Sequence, residues 1–212
     1  MKTILILLSF LFTFLSCSKE DDSLITDYDG NEYHTVKIGS QTWMVENLSV
    51  THYNDGTPIE NLKNVNDWIN NDSTGGYCWY NNDESTNKIP YGALYNYKAI
   101  SDERFCPKGW HVPNDSEWRE LIEFLGGDSI SAAKLKETGT SHWRFNTGTN
   151  ESGFKALPGG YRWVDFYNLT FAGFFWSKSS TESVTSMCII TSESTIYKYT
   201  YGYGLSVRCL KD

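Results

Sequence analysis

The sequence of 212 residues lacks the basic stripe that nucleic-acid-binding proteins carry. Its 18 basic side chains are scattered singly among 26 acidic ones, and the formal net charge is −8. Binding to a phosphate backbone needs clustered Lys and Arg side chains. The composition therefore predicts that nucleic acid is not a partner of this protein.

The sequence also lacks the motifs of common catalytic and metal centres. It contains no GxSxG, HExxH or CxxC pattern. The four histidines have no patterned partners, and the simplest role for His111 is to pack beside Trp110. The sequence therefore predicts a protein that is not an enzyme and that carries no cofactor.

Calcium is the one cofactor that stays open as an alternative. Residues 81–84, Asn-Asn-Asp-Glu, carry oxygen atoms of the kind that calcium prefers. Runs of Asn and Asp more commonly form turns, so local turn formation explains the same residues. From the sequence, a calcium site and a local turn therefore both stay open as interpretations of these residues.

No apolar run is long enough to cross a membrane as a helix. The longest, residues 4–15, is shorter than the about 20 residues that a spanning helix needs, and it follows Lys2 and ends before Ser16. Such a run is typical of a signal peptide, although a buried core helix would also be apolar. We therefore expect residues 1–16 to be a cleaved signal peptide.

Residues 14–17, Phe-Leu-Ser-Cys, resemble the lipobox of bacterial lipoproteins, in which a small residue precedes the cysteine that receives diacylglycerol. The resemblance implies that Cys17 is lipidated. Because each buried methylene contributes about 0.8 kcal/mol, two or three acyl chains would hold the protein at a membrane. The membrane is thus an expected partner through the lipid anchor.

Residues 18–22, Ser-Lys-Glu-Asp-Asp, resemble the sorting signals of outer-membrane and surface-exposed lipoproteins of the Bacteroidetes group. A solvated linker would have the same polar composition. The resemblance implies a lipid anchor in the outer membrane and exposure on the cell surface, with residues 17–26 as the lipidated linker.

Residues 27–212 have the length of a single domain with a sizeable core. Asp-Gly at 29–30 and Gly-Ser at 39–40 are turn signals between short strand-like stretches, which predicts a β-meander at the start of the domain. Residues 53–90 are rich in Asn, Asp, Gly, Ser and Thr, which predicts a long irregular segment.

Two helices are predicted in the middle of the domain. The first begins after the N-cap Asn114, has Glu117 at the capping-box position, and buries one face before Gly126. The second is predicted over residues 131–137, ended by Gly139. Short strand-like stretches follow, so the order of elements predicts an α+β domain with a small antiparallel sheet.

Seven ordered motifs resemble the Fibrobacter succinogenes major paralogous domain family of bacterial surface and secreted proteins. They cover the range of about 27–212 and are residues 41–48 (QTWMVENL), 91–96 (YGALYN), 106–113 (CPKGWHVP), 117–118 (EW), 150–154 (NESGF), 156–160 (ALPGG) and 206–209 (SVRC). The resemblance implies a surface or secreted module and does not by itself imply an activity.

The segment at 106–110 and the end at 207–209 are also similar to the C-type-lectin-like fold and its formylglycine-generating relatives. This resemblance implies small antiparallel sheets, two helices, long irregular loops and chain ends that meet. It also implies a disulfide between Cys106 and Cys209. Cys78 and Cys188 then either form a second bridge or remain buried thiols.

In lectin-like folds the ligand meets the irregular region before the last strands, which here implies a site within residues 146–168. Aromatic faces stack on sugar rings, while amide, carboxylate and guanidinium groups bind hydroxyls. The alternative is that the aromatic side chains pack the loop. The candidate ligand-binding residues are Tyr161, Arg162, Trp163, Asp165, Tyr167 and Asn168.

The sequence thus predicts a surface-anchored binding or adhesion module for a glycan or for another envelope or host molecule. One alternative is a structural or partner-docking envelope lipoprotein without a small ligand. A second alternative is an oxidase similar to formylglycine-generating proteins. Such an oxidase needs a reactive cysteine pair, for which Cys188 and Cys209 are the only late candidates.

Overall fold

The computed structural model describes residues 24–71, 73–145, 148–178, 185–199 and 202–212. The predicted signal peptide, residues 1–16, and the predicted lipidation site Cys17 lie outside the described residues. Within the described ranges, no helix combines the length and the apolar character that a membrane span requires.

The described chain forms a mixed α+β fold of short helices and small sheets. The helices are α1 (Val65–Ile69), α2 (Glu84–Tyr91), α3 (Tyr97–Ser101), α4 (Asp115–Phe124) and α5 (Asp128–Leu135), with a 3-10 helix at Tyr80–Asn82. The strands are β1 (Ile25–Thr26), β2 (Glu32–Tyr33), β3 (Thr35–Ile38), β4 (Gln41–Met44), β5 (Glu60–Asn61), β6 (Gly76–Cys78), β7 (Leu94–Tyr95), β8 (Trp110–His111), β9 (Gly159–Arg162), β10 (Phe166–Leu169), β11 (Gly173–Ser177), β12 (Thr185–Ile190), β13 (Ser194–Tyr199) and β14 (Leu210–Lys211).

The predicted turns at 29–30 and 39–40 are both present, but they close two separate hairpins. β1 pairs with β2 in a sheet of its own, while β3 and β4 belong to a four-stranded sheet of order β3-β4-β14-β8. A continuous meander was therefore the wrong expectation. Turn residues reveal the reversal of the chain, whereas the identity of the next partner strand depends on distant residues.

The C-terminal strand closes the fold. In β14, Leu210 lies opposite Trp43 of β4 on one side and His111 of β8 on the other, so the beginning and the end of the domain share a sheet. Next to it, Cys106 and Cys209 form a disulfide with a Cα–Cα distance of 6.2 Å. This is the pairing that the resemblance implied.

The first predicted helix is confirmed as α4. Asn114 caps it, with the Oδ1 atom accepting from the N–H groups of Ser116 (2.9 Å) and Glu117 (3.1 Å), while the Glu117 carboxylate accepts from the Asn114 N–H. Trp118, Leu121 and Ile122 are buried. The periodic spacing of these apolar residues therefore identified the buried face correctly.

The second helix was predicted with the wrong limits. α5 spans Asp128–Leu135, so it begins three residues before and ends two residues before the predicted range. Gly126, with φ +109°, follows the C-cap Leu125 and ends α4, and Gly127, with φ +86°, is the N-cap of α5, so the next helix starts at once. At the other end, Lys136 pairs with Ala156 in an isolated β-bridge, so the helix ends before Gly139.

Residues 53–90 are more regular than predicted. They contain β5, α1, β6, the 3-10 helix and α2, because polar side chains that favour turns also cap helices. The Asn64 side chain accepts from the Asn66 N–H (2.7 Å), and the Asp83 side chain accepts from the Thr86 N–H (3.2 Å). Asn64 and Asp83 therefore begin helices α1 and α2, whereas the composition of this range predicted an irregular segment.

Cys78 and Cys188 are unpaired and buried. Cys78 packs in a cluster with Leu62, Trp68, Tyr80 and Leu94, whereas Cys188 belongs to the cluster around α4 and β11. Because the two thiols lie in different parts of the core, the alternative of a second bridge is wrong.

Candidate functional site

The β9–β10 hairpin, including its turn, carries all six predicted ligand-binding residues. Arg162 lies opposite Phe166 and Tyr161 lies opposite Tyr167, and the Trp163 N–H donates to the Asp165 carbonyl (2.9 Å) across the turn. Residues 146 and 147, where the predicted binding region begins, lie outside the described part of the chain.

Four aromatic rings form a continuous group on this hairpin, which we call the aromatic surface. Tyr161 stacks on Tyr167 with 5.3 Å between ring centroids and 27° between planes, and Trp163 stacks on Tyr203 at 6.3 Å and 26°. Tyr161 also meets Tyr203 edge-on at 5.5 Å, which joins the two stacks. The four residues are thus held in a fixed relation to one another.

The aromatic surface is partly open to solvent. Trp163 is 47% exposed and Tyr167 is 37% exposed, while Tyr161 and Tyr203 are half-buried. Tyr161 is anchored from below by Phe174, whose ring lies edge-on at 4.8 Å. The alternative that these rings only pack the loop therefore fits the half-buried Tyr161 better than Trp163, which is 47% exposed although it stacks on Tyr203.

Arg162 faces the other side of β9, because successive side chains of a strand point to opposite faces. It is 2% exposed, and its guanidinium donates to the carbonyls of Leu62 and Lys63 and lies over the Trp68 ring at 4.4 Å. Its role is thus to hold the hairpin against the loop at 62–63. It is not available to a ligand on the aromatic surface.

Asp165 and Asn168 are exposed polar residues of the same hairpin. One carboxylate oxygen of Asp165 accepts from the Phe166 N–H (2.8 Å), and Asn168 adopts φ +61° at the end of the hairpin. The second Asp165 oxygen and the Asn168 side chain have no protein partner in the described ranges. Both side chains can therefore bind hydroxyl groups beside the rings.

Tyr203 was missed by the sequence reasoning. It follows β10 by more than 30 residues and reaches the hairpin because Gly204 pairs with Arg162, with N–O distances of 2.9 and 2.7 Å. Its neighbour Gly204 lies where the backbone packs closely against the Trp68 ring. At Gly204, an added Cβ would lie 2.5 Å from Trp68.

Each of the four histidines has an acidic partner, although no sequence motif indicates these pairs. The nitrogen-to-oxygen distances are 2.8 Å for His34–Glu46, 2.5 Å for His52–Asp29, 3.0 Å for His111–Glu117, 2.7 Å for His111–Asp212 and 2.6 Å for His142–Glu137. His111 therefore joins α4 to the C-terminal residue rather than simply packing beside Trp110. These pairs connect residues that are separated in sequence by up to 101 positions.

The residues considered for calcium serve local structure. Asp83 caps α2 and accepts from the Ser85 hydroxyl (2.7 Å), and hydrogen bonds from Ser85 and Thr86 lower the pKa of its carboxyl group. Asn82 donates to the Lys63 carbonyl (3.1 Å). The described residues contain no group of three or more His, Cys, Asp and Glu side chains placed to hold a metal ion.

The two free thiols lie in surroundings that suppress thiolate formation. Burial raises the pKa of Cys78 to about 11, with Arg162 opposing the shift, and burial also raises the pKa of Cys188. A reactive cysteine needs a stabilised thiolate. Cys209, the partner that an oxidase would need, is already in the disulfide.

Comparison with known proteins gives one match. The sequence profile described as Fibrobacter succinogenes major domain matches residues 36–211. No curated protein and no solved structure matches the chain.

Proposed function

The chain belongs to the Fibrobacter succinogenes major domain family, and on that premise we propose that it is a cell-surface lipoprotein that binds saccharides through the aromatic surface. The match covers the region that holds all four rings. The family description carries no activity, so the proposal rests on the geometry of the rings.

The observation that carries the proposal is the preformed aromatic surface. A sugar ring presents C–H groups on its faces, and flat aromatic faces that are already ordered can cover them at little cost in conformational entropy. Trp163 and Tyr167 are partly exposed, and Asp165 and Asn168 are exposed polar residues of the same hairpin. This mixture of apolar and polar groups matches the two kinds of surface that a saccharide has.

The C-type-lectin-like fold is part of the proposal. It is supported by the position of β14 between β4 and β8 and by the Cys106–Cys209 disulfide, which ties the segment before α4 to the segment before the last strand. In this fold the β9–β10 hairpin occupies the region before the last strands, where the ligand is expected.

Membrane attachment through Cys17 is proposed from the sequence. Cells grown with labelled palmitate are expected to label the wild-type protein and not a Cys17→Ala variant, and the variant is expected to leave the membrane fraction. Equal labelling of the two proteins, or equal retention at the membrane, would contradict the anchor.

Saccharide binding is tested on a glycan array with purified protein. The wild-type protein is expected to bind a subset of glycans, and Trp163→Ala and Tyr167→Ala are each expected to weaken that binding about tenfold, because an aromatic contact of about 1.4 kcal/mol is lost. Phe145→Ala is the matched control, since Phe145 is 74% exposed and pairs with Phe171 outside the aromatic surface.

Two results would contradict the saccharide proposal. If the wild-type protein binds no glycan, the alternative of an envelope lipoprotein that docks a protein partner becomes the better account. If it binds but the Trp163 and Tyr167 variants bind equally well, the site lies elsewhere. A chelator is expected to leave binding unchanged, because the Asp83 carboxylate is engaged in capping α2.

The oxidase alternative receives no support from the cysteines. Cys188 is fully buried with a raised thiol pKa, and Cys209 is in a disulfide. We therefore propose a binding function without redox chemistry at these residues.

A further inference from the structure

A cavity of about 410 Å³ lies on a part of the molecule that shares no lining residue with the aromatic surface. Its walls come from β2, the segment after β4, the end of α2 and the two segments around 137–142 and 155–157. Its volume falls within the range of about 300–1,000 Å³ that is typical of small-molecule sites.

The walls of this cavity are largely apolar. Tyr33, Val45, Pro90 and Leu157 contribute to them, and Ile89, which is 84% exposed, adds an uncovered aliphatic side chain. An exposed isoleucine beside a concave apolar surface leaves a favourable contact area for an apolar ligand. The body of the ligand is therefore expected to be hydrophobic.

Most charged side chains at the cavity are paired within the protein. The Glu46 carboxylate accepts from the His34 N–H (2.7 Å) and lies 2.8 Å from the His34 ring nitrogen, and Glu137 lies 2.6 Å from His142. The Lys88 ammonium lies 3.5 Å from Glu84. These groups are therefore engaged by partners within the protein.

Two charged groups of the cavity remain. Glu32 and Lys155 line it, both are exposed, and neither side chain forms an ion pair or a side-chain hydrogen bond with another described residue. The backbone of Lys155 is fixed, because its N–H donates to Asn150 Oδ1 (2.8 Å) and its carbonyl accepts from Arg208 (2.9 Å). Within the described part of the chain, the cavity thus offers one negative and one positive side chain without an ion-pair partner beside an apolar wall.

We propose that this cavity binds a small zwitterion with an apolar body, of the kind formed by short peptides with aliphatic side chains. The ligand amine pairs with Glu32, its carboxylate pairs with Lys155, and its side chains contact Ile89 and Leu157. A ligand with a single charge leaves one wall charge unpaired, and a sugar leaves the apolar wall without a complement. This site is independent of the aromatic surface.

The test is isothermal titration calorimetry on the full chain with the dipeptide leucyl-leucine as the probe. Binding is expected, and N-acetyl-leucyl-leucine and leucyl-leucinamide, which each lack one charge, are expected to bind up to about fivefold more weakly. Seryl-serine, which keeps both charges and loses the apolar body, is expected to show no measurable binding.

Variants assign each end of the dipeptide. Glu32→Gln is expected to abolish the preference for leucyl-leucine over N-acetyl-leucyl-leucine. Lys155→Met is expected to abolish the preference for leucyl-leucine over leucyl-leucinamide. Glu103→Gln and Lys108→Met are matched controls at exposed positions outside the cavity, and both preferences are expected to survive in them. Ile89→Ser is expected to weaken binding of all three leucine probes.

The proposal is overturned if leucyl-leucine does not bind below about 10 mM, or if Glu32→Gln and Lys155→Met keep the wild-type preferences. Trp163→Ala is expected to bind leucyl-leucine as the wild-type protein does. The result for the cavity is therefore separate from the outcome of the glycan experiment.

Discussion

Two buried arginines show how single residues hold distant loops of this chain together. Arg208, which is 1% exposed, donates to the Asn47 side chain (2.9 Å) and to the carbonyls of Phe154 and Lys155. The Arg162 guanidinium likewise donates to the carbonyls of Leu62 and Lys63. Removing such a residue would leave buried carbonyls without donors, which costs about 1–3 kcal/mol for each group.

Arg162 also shows that the sequence does not determine which face of a strand a given side chain occupies. Its neighbours Tyr161 and Trp163 suggested a binding loop, and the hairpin does present their rings. The face to which Arg162 points depends on the register of β9 against β10 and on the carbonyls of a loop 100 positions earlier in the chain. Neither is visible in a local pattern of residue types.

Asp55→Asn is expected to lower the free energy of unfolding at neutral pH. The Asp55 carboxylate accepts from the Thr57 N–H (2.9 Å) and from Arg104 (2.6 Å), and these contacts lower its pKa from 3.8 to about 2. A carboxyl group with a lowered folded-state pKa stabilises the fold above its unfolded-state pKa, and this contribution is lost as the pH falls through the folded-state value.

Urea unfolding of both proteins at a series of pH values measures this effect. The stability difference should be constant above about pH 5 and should shrink between about pH 4 and pH 2. A difference that persists unchanged at pH 2, or that grows as the pH falls, would contradict the assignment. Glu103→Gln, at an exposed position on the same loop as Arg104, is the control.

At the scale of elements, the β9–β10 hairpin is the unit that presents the aromatic surface. Gly160 is essential to it, because its φ is +63° and a Cβ atom at this position would lie 2.3 Å from the Tyr167 carbonyl oxygen. A side chain would therefore push β10 away from β9. The Tyr161–Tyr167 stack depends on the pairing that this glycine permits.

Gly160→Ala is expected to destabilise the protein by more than about 3 kcal/mol and to abolish glycan binding, since it combines a strained backbone with a steric clash. Gly109→Ala is the matched control. Gly109 has φ +83°, but an added Cβ meets nothing within 4 Å, so only the strain of about 1–2 kcal/mol is expected. Chemical unfolding measures both variants, and equal losses would show that the close approach at Gly160 is unimportant.

Elements with local signals were predictable, and elements that depend on distant partners were not. The cap at Asn114 and the apolar spacing of α4 lie within a dozen residues, so the helix and its buried face follow from the sequence. α5 ends where Lys136 meets Ala156, 20 positions away, and β5 is a strand only because β6 lies beside it. The same limit hid Tyr203 from the predicted site, because Tyr203 reaches the hairpin through the pairing of Gly204 with Arg162.

At the scale of the whole molecule, the two ends of the domain are fastened together twice. β14 lies between β4 and β8, and the disulfide joins residues 103 positions apart. A bridge that closes a loop of this length contributes up to about 4.7 kcal/mol in the chain-entropy model. Such a closed arrangement suits a domain that is proposed to work outside the cytoplasm, where disulfides persist.

The protein is proposed to combine a lipid anchor with a domain that has two binding regions. The anchor is proposed to hold the protein at the outer membrane, the aromatic surface is proposed to bind saccharides, and the cavity near Glu32 and Lys155 is proposed to take a zwitterionic peptide. Of these, saccharide binding by a surface-displayed protein is the central claim, because it unites the sequence-based localisation with the geometry of the rings.

The most direct test measures the retention of cells on an immobilised glycan that the array identifies. Cells displaying the wild-type protein are compared with cells displaying a Trp163→Ala/Tyr167→Ala variant at equal surface amounts. The account predicts that wild-type cells are retained and that variant cells fall to the level of cells without the protein. Equal retention of wild-type and variant cells, or wild-type retention no higher than that of cells without the protein, would contradict it.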